Sequence, residues 1–217
     1  KFMQIILSRH GNTFSPHDAA VWVGAKQDLP LVDSGILQAK WLGLALQKAN
    51  IQLKAVYCGP LKRTRDYAAV VLKELNSTLK PIVDSRLNEI DYGSWSGLSK
   101  VQIEEMGQGT DLSAWENFSV WPKNSDWQGS AAQMISDVKA LAEDLLKRYE
   151  PNDSILLISS NGRLRYFLKL IPKAFEQHIE NKDVKVQTGN ICFFLYENKK
   201  WQIKFWNKSP QYLFKLS

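Results

Sequence analysis

The chain holds three histidines, His10, His17 and His178, and two cysteines, Cys58 and Cys192. Histidine or thiol chemistry therefore has few addresses. The reactive side chains gather in four short stretches. These are Arg9-His10-Gly11-Asn12-Thr13, Gly59-Pro60-Leu61-Lys62-Arg63-Thr64-Arg65, Leu87-Asn88-Glu89-Ile90-Asp91-Tyr92-Gly93 and Ser159-Ser160-Asn161-Gly162-Arg163. Arginines brought together in a dry crevice repel one another unless an anion belongs there, and the guanidinium fork matches phosphate with paired hydrogen bonds. A neutral imidazole facing a phosphoryl group is a nucleophile. A carboxylate beside it could protonate the leaving oxygen. Together these residue types point to phosphoryl transfer through a phosphohistidine at His10, with Glu89 as acid and base. Arg9, an arginine of the second stretch and the backbone amides of Asn161 and Gly162, at the start of a helix, would hold the phosphoryl group.

This chemistry requires the four stretches to meet, and the pattern of elements says how. Phe2 to Ser8 is a short, nearly continuous apolar run, as in a strand buried on both faces. Leu53 to Cys58 and Ser154 to Ser159 read the same way, and Pro81 to Val83 as a short strand. Asp33-Ser34 precede apolar residues at helical spacing from Ile36 to Ala45. Leu61 to Leu75 reads as a helix opened by Pro60, Ser99 to Met106 as a short helix, and Gly162 to Ile171 as helical. Ser130 caps a helix whose apolar face runs from Met134 to Leu146. Ile191 to Tyr196 and Trp201 to Trp206 form a hairpin turned at Asn198-Lys199-Lys200. Strands alternating with helices predict an α/β three-layer sandwich with a mostly parallel central sheet. In such sheets the site lies beyond the carboxyl ends of the strands, where all four stretches fall.

Residues 107–129 show neither period. They hold Trp115, Trp121 and Trp127 among Gly, Ser, Asn and Pro. A long patternless stretch inside a compact domain is unusual. It reads either as a lid or as a surface loop pinned by its tryptophans. The expected organisation is a single domain over residues 1–217, with a lid at about 99–129.

The Arg9-His10-Gly11-Asn12-Thr13 stretch resembles the signature of the histidine phosphatase superfamily, the phosphoglycerate mutase-like enzymes. Pro60 to Arg65 is similar to the family's stretch with the second phosphate-binding arginine, which falls on Arg63. Leu87 to Gly97 is similar to the segment with the proton-donating glutamate, which falls on Glu89. Leu29-Pro30-Leu31, with Gly35 and Gln38-Ala39, resembles the stretch before the family's first helix. The resemblance runs over almost the whole chain. It implies the phosphoglycerate mutase-like fold, a phosphorylated small-molecule substrate or inorganic phosphate as ligand, and no metal or organic cofactor. The activity it implies is phosphomonoester hydrolysis, with phosphoglycerate mutase-type transfer as the alternative.

The chain also departs from that pattern. After the fourth strand the family carries a second catalytic histidine, then glycine, with an arginine five residues beyond the histidine. Leu164 and Arg165 fit, but Ser160 and Asn161 occupy the histidine and glycine positions. The family's late histidine-leucine pair reads Tyr212-Leu213, and an expected asparagine is Pro16. Losing one donor to a charge-building phosphoryl group costs about 3–4 kcal/mol, roughly 100- to 1000-fold in rate. That motivates a further alternative, a catalytically impaired phosphate-binding or regulatory protein. Ser160 can still donate one hydrogen bond. His17, in the same loop as His10, and Arg163, beside Ser160, are candidates to replace the lost charge. Asn12 and Thr13 are candidates to shape the loop over the phosphate.

Composition removes other classes. At 217 residues the chain can bury a sizeable core. Two cysteines make no disulfide framework, and no Cys/His cluster has zinc spacing. Both cysteines read as small buried hydrophobes. The net charge of +6 comes with no dense basic stripe, so nucleic acid is not an expected partner. No apolar run reaches the roughly 20 residues of a membrane span. Lys1 to Arg9 turns polar too soon for a signal peptide, and a cytoplasmic location is the expectation. Oligomeric state has no signature in the sequence.

Overall fold

Four strands are buried on both faces, and this dictates the architecture. A computed structural model describes residues 2–216. The strands are β1 (Met3–Arg9), β2 (Leu53–Cys58), β3 (Ile82–Val83), β4 (Ser154–Ser159), β5 (Ile191–Glu197) and β6 (Lys200–Lys208). They form one sheet in the order β3-β2-β4-β1-β5-β6. The β3, β2, β4 and β1 strands run parallel, while β5 and β6 are antiparallel additions. Side chains alternate between two cores. Ile5, Leu7, Ile155 and Leu157 enter one, and Ile6, Leu156 and Ile158 the other. The continuous apolar runs follow from burying both faces.

The helices α1 (Asp33–Lys48) and α2 (Lys62–Glu74) pack on each other over the second core. The first core is covered by α5 (Ala131–Arg148) and the segment before it. The expected cap of α5 is present, since the Ser130 side chain accepts from the Gln133 amide. The β5–β6 turn places Asn198 at φ 52° and Lys199 at φ 60°, the two left-handed residues of a type I′ hairpin. At α1 the expected cap differs. The helix begins at Asp33, with Val32 at the cap position and no side-chain cap bond. Ser34 Oγ instead accepts from Asn12 Nδ2 at 3.2 Å, which ties α1 to the loop after β1.

The stretch read as patternless is mostly helical. A capping box of Ser99 and Gln102 opens α3 (Lys100–Ile103). A wide turn follows, with Gly107 at φ 78°, and then α4 (Gly109–Phe118). Leu112 and Trp115 are the buried residues of α4. Two apolar contacts three residues apart are too few to register as a period, yet they suffice once Trp115 meets Trp127 at 5.0 Å and Tyr92 at 6.2 Å. Three further segments lie near the strand ends and the chain end: α6 (Asn161–Leu164), α7 (Ala174–Glu180) and a 3₁₀ turn over Pro210–Leu216. The last two showed no readable sequence signal. Among the described residues no helix is long and apolar enough to cross a membrane.

One backbone crossing fixes the loop after β1. A Cβ on Gly11 would lie 2.4 Å from the Gly35 carbonyl oxygen, and one on Gly35 would lie 2.3 Å from that of Asn12. Both obstacles are main chain, so no rotamer change relieves them. Gly35→Ala is expected to lower unfolding stability by about 1–3 kcal/mol, whereas the exposed Lys40→Ala should stay within about 0.5 kcal/mol. Urea unfolding of both variants checks this; equal midpoints would reject the crossing as a constraint.

Candidate active site

The carboxyl ends of β1, β2 and β4 open on a cleft of about 590 Å³. Arg9 and His10 enter it from the end of β1, Arg63 from the start of α2, and Glu89 and Tyr92 from the loop after β3. Asn161 and Arg165 come from the turn after β4, and Val184, Lys185 and Thr188 from the loop before β5. Phe14, Trp22, Val23, Val101 and Trp115 supply an apolar wall. Ser99, Lys100 and Glu116 reach the cleft from the 99–129 segment.

His10 is 5% exposed, and its Nδ1 lies 2.8 Å from the Gly11 carbonyl oxygen. A carbonyl only accepts, so Nδ1 carries the proton and Nε2 carries the lone pair. Burial, then the charges of Arg9 and Arg63, hold the imidazole well below its ordinary pKa of 6.5. The ring is thus neutral and poised through one nitrogen.

The arginines are steered by main-chain carbonyls. Arg9 Nη1 donates to the Val186 carbonyl at 2.8 Å, while its buried Nε has no hydrogen-bond partner among the described residues. Arg63 Nη1 donates to Gln27 O at 2.7 Å and Nη2 to Gly24 O at 3.3 Å. The start of α2 is fixed by Asp28, whose Oδ1 accepts from the Lys62 amide at 2.6 Å. Burial lowers the Arg9 guanidinium to a pKa of about 10, with Glu89 and Tyr92 opposing the fall. Burial also lowers Arg63 and Arg165. Tyr92 is pushed well above its ordinary value by burial and then by Glu89, so it stays a neutral hydroxyl.

Glu89 is held from two sides. Its Oε1 accepts from the Ile90 amide at 2.8 Å and its Oε2 from the Gly162 amide at 3.3 Å. A Cβ on Gly162 would lie 2.4 Å from both Glu89 Oε1 and the Tyr92 hydroxyl, so only glycine lets these two side chains close over that turn. Asn12 is likewise tied down. Its amide donates to Gln38 Oε1 at 2.8 Å and its Oδ1 accepts from Thr188 Oγ1. Asn12 and Thr13 both line the cleft.

Several expected residues lie elsewhere. The Gly162 amide is spent on Glu89 rather than offered to the cleft. Asn161 lines the cleft, with its side-chain oxygen accepting from the Val186 amide at 3.2 Å. Ser160 is buried and is not among the cleft's lining residues, and among the described residues its hydroxyl has no hydrogen-bond partner. His17 is exposed and is not among the residues that line the cleft. Its neighbours Ser15 and Asp18 close a turn, with the Ser15 amide donating to Asp18 Oδ2 at 2.7 Å. Arg163 neither points to solvent nor reaches the cleft. Its Nη1 pairs with Asp137 at 3.0 Å and its Nε donates to Asn88 O at 2.9 Å. Arg165 and Lys185, which the sequence did not single out for the site, line the cleft instead. Arg165 had a legible signal, since it fits the arginine position of the fourth motif. Lys185 sits in a loop without pattern. Among the described residues no group of three or more His, Cys, Asp or Glu is placed to hold a metal.

The sequence profile of the histidine phosphatase superfamily (branch 1) matches residues 5–209. The chain belongs to this superfamily. A 2,3-bisphosphoglycerate-dependent phosphoglycerate mutase of Buchnera aphidicola is 25% identical over 95% of this chain and 99% of its own. Phosphoserine phosphatase 1 of Hydrogenobacter thermophilus is 30% identical over 75% of this chain and 73% of its own. Among solved structures, a mycobacterial glucosyl-3-phosphoglycerate phosphatase superposes with a TM-score of 0.75 at 22% identity, covering 95% of this chain and 99% of its own. Alpha-ribazole phosphatase from Shigella flexneri gives 0.72 at 22%, covering 94% and 96%. The mycobacterial enzyme has also been solved with inorganic phosphate. The α/β fold with a mostly parallel central sheet is thus that of the superfamily, whose members named here are mutases and phosphatases.

The state of His10 can be measured directly. Because burial and two arginines disfavour its charged form, the folded ring does not take up the proton that the unfolded chain takes up below pH 6.5. Stability is therefore undiminished by this group above pH 6.5 and falls as pH drops below it. Nitrogen-detected NMR of labelled protein should show a neutral His10 ring, protonated at Nδ1, at pH 6. A doubly protonated ring at that pH would contradict the geometry.

Proposed function

We propose that this chain hydrolyses phosphomonoesters through a phosphohistidine at His10. The observation that carries this reading is the imidazole itself: neutral, protonated at Nδ1 by its bond to Gly11 O, and facing a cleft that also holds Arg9, Arg63 and Glu89. In the first step the Nε2 lone pair attacks phosphorus and the bond from phosphorus to the ester oxygen breaks. Glu89 gives its proton to that leaving oxygen. In the second step Glu89 takes a proton from water, the water oxygen attacks phosphorus, the P–N bond breaks and inorganic phosphate leaves. One carboxyl group serves as acid and then as base, which returns the site to its starting state. Arg9 and Arg63, which line the same cleft as His10, serve as the fixed donors to the negative charge that builds on the phosphoryl oxygens.

Charge favours hydrolysis over mutase-type transfer. The cleft is lined by five cations, Arg9, Arg63, Lys100, Arg165 and Lys185, and by two acidic side chains, Glu89 and Glu116. With Glu89 holding the proton that the first step uses, the excess is four positive charges, five cations against one carboxylate. A phosphoryl group carries about −2 at neutral pH, which this excess covers. A bisphosphorylated glycerate carries two such groups and a carboxylate, which it does not cover. We read the 99–129 segment as the cover of the site within a single domain over 1–217.

Brief incubation with a radiolabelled aryl phosphate should leave an acid-labile phosphoryl group on the protein, and His10→Ala should lose both the label and turnover. Glu89→Gln should slow turnover of esters with poor leaving groups by about 10²- to 10⁴-fold. Phosphate release from 3-phosphoglycerate should exceed its conversion to the 2-isomer. Activity surviving in His10→Ala would remove the nucleophile from this assignment.

A further inference from the structure

Arg163 is 3% exposed, lies outside the cleft and takes no part in the two chemical steps. A buried guanidinium is costly unless it is paired and hydrogen-bonded, so its partners say what it serves. One is Asp137 on α5, whose Oδ2 meets Nη1 at 3.0 Å. The other is the carbonyl oxygen of Asn88, which accepts from Nε at 2.9 Å. Asn88 directly precedes the acid and base Glu89.

That carbonyl belongs to the peptide unit joining Asn88 to Glu89. The other end of the unit is the Glu89 amide, which donates to Asn88 Oδ1 at 2.9 Å. A peptide unit is planar, so holding its oxygen and its N–H fixes the plane. The plane sets the direction in which the Glu89 side chain leaves the backbone. The bond at the N–H end comes from the adjacent residue and moves with it. The bond at the carbonyl end comes from a distant element and ties the plane to the frame.

The same turn after β4 holds the segment on both sides of that plane. Ser159 Oγ donates to Leu87 O at 2.7 Å, and the Gly162 amide to Glu89 Oε2 at 3.3 Å. Leu87, Asn88 and Glu89 thus each accept a bond from residues 159–163. The far end of Arg163 is anchored in turn. Asp137 Oδ1 accepts from Gln133 Nε2 at 2.8 Å, one turn earlier on α5. The line of contacts runs from α5 through Asp137 and Arg163 to the backbone of Glu89, and none of these bonds involves His10, Arg9 or Arg63.

We propose that Arg163, held by Asp137, is a positioning residue for proton transfer by Glu89. It fixes the Asn88–Glu89 peptide plane and so aims the carboxyl group at the leaving oxygen. This rests on the phosphohistidine reading, in which Glu89 protonates that oxygen. A positioned acid matters most when the leaving oxygen is basic, and little when it is already stable as an anion. A structural role alone would slow all esters alike.

The test compares phenyl phosphate with 2,4-dinitrophenyl phosphate in kcat/KM, which reports the steps up to departure of the leaving group. Arg163→Met should lower the phenyl value by roughly 10- to 100-fold and the dinitrophenyl value by less than about threefold. Glu89→Gln should show the same selective pattern at larger size. Inhibition by inorganic phosphate should be unchanged in Arg163→Met, because no bond of Arg163 reaches Arg9 or Arg63. Asp137→Asn keeps an oxygen toward Arg163 at a side chain that is 23% exposed. It should show the selectivity at severalfold size, which decides the matter if the buried variant fails to fold. Equal loss on both esters, or loss on neither, in Arg163→Met and Asp137→Asn would overturn the positioning role. Labelling of His10 in the wild-type chain is scored separately. A label at His10, with selectivity in Glu89→Gln but in neither of the other variants, rejects the positioning role alone. Absence of both label and turnover in the wild-type chain rejects the reading beneath it, and the role with it.

Discussion

The bond from His10 Nδ1 to the carbonyl of Gly11 is the interaction on which the site depends. A histidine offers two nitrogens, and without this bond neither the tautomer nor the direction of the lone pair would be set. The bond in turn requires the loop after β1 to hold one backbone path. That path is fixed by the mutual approach of Gly11 and Gly35, by the Asn12 amide on Gln38, and by the Gly189 amide shared between the Arg9 and His10 carbonyls at 3.2 Å each. His10 is thus positioned from three sides, by the Gly35 and Gly189 main chain and by the Gln38 side chain. Its geometry belongs to β1, α1 and the loop before β5 together.

The second constraint is electrostatic. Three arginines line one cleft and none forms an ion pair with a carboxylate among the described residues. Carbonyl dipoles take the place of counter-charges: Val186 for Arg9, Gln27 and Gly24 for Arg63. Dipoles orient a guanidinium without cancelling its charge, so the field in the cleft stays positive and the neutral form of His10 is favoured. The same field favours an anion in the cleft. A carboxylate paired to each arginine would stabilise the empty protein and weaken both effects.

Most of the frame was legible because it rests on local rules. Strands buried on both faces write themselves as apolar runs, Ser130 writes a cap, and Asn198-Lys199 writes a turn. His10 and Glu89 stood out at strand ends because topology gathers those ends, Arg63 through the family resemblance, and all three line the cleft. What was not legible depends on contacts distant in sequence. The α4 helix carries only Leu112 and Trp115 inward, so its order comes from aromatic partners outside its own sequence. Arg163 and Arg165 are two residues apart, and their opposite fates are decided by Asp137 on α5 and by Ser119 and Trp115. Only the motif position of Arg165 marks it out; helical spacing does not tell the two apart.

Trp115 joins these themes. It is 1% exposed and packed against Tyr92, Trp121 and Trp127, so it belongs to the core, yet it also lines the cleft and carries Arg165 on its face. The chain leading to Trp127 is held in turn, with Asp126 accepting from the Ser94 amide and hydroxyl at about 3 Å. Moving α4 away from the cleft would therefore break an aromatic cluster that extends to Trp22 and Trp95. Edge-to-face aromatic pairs contribute about 0.5–1.5 kcal/mol each beyond the area they bury, and several would be lost together. The part of 99–129 that includes Trp115 is accordingly a fixed wall. Only the rim of that wall reaches solvent, where Val101 is 60% exposed and Lys100 pairs with Glu116.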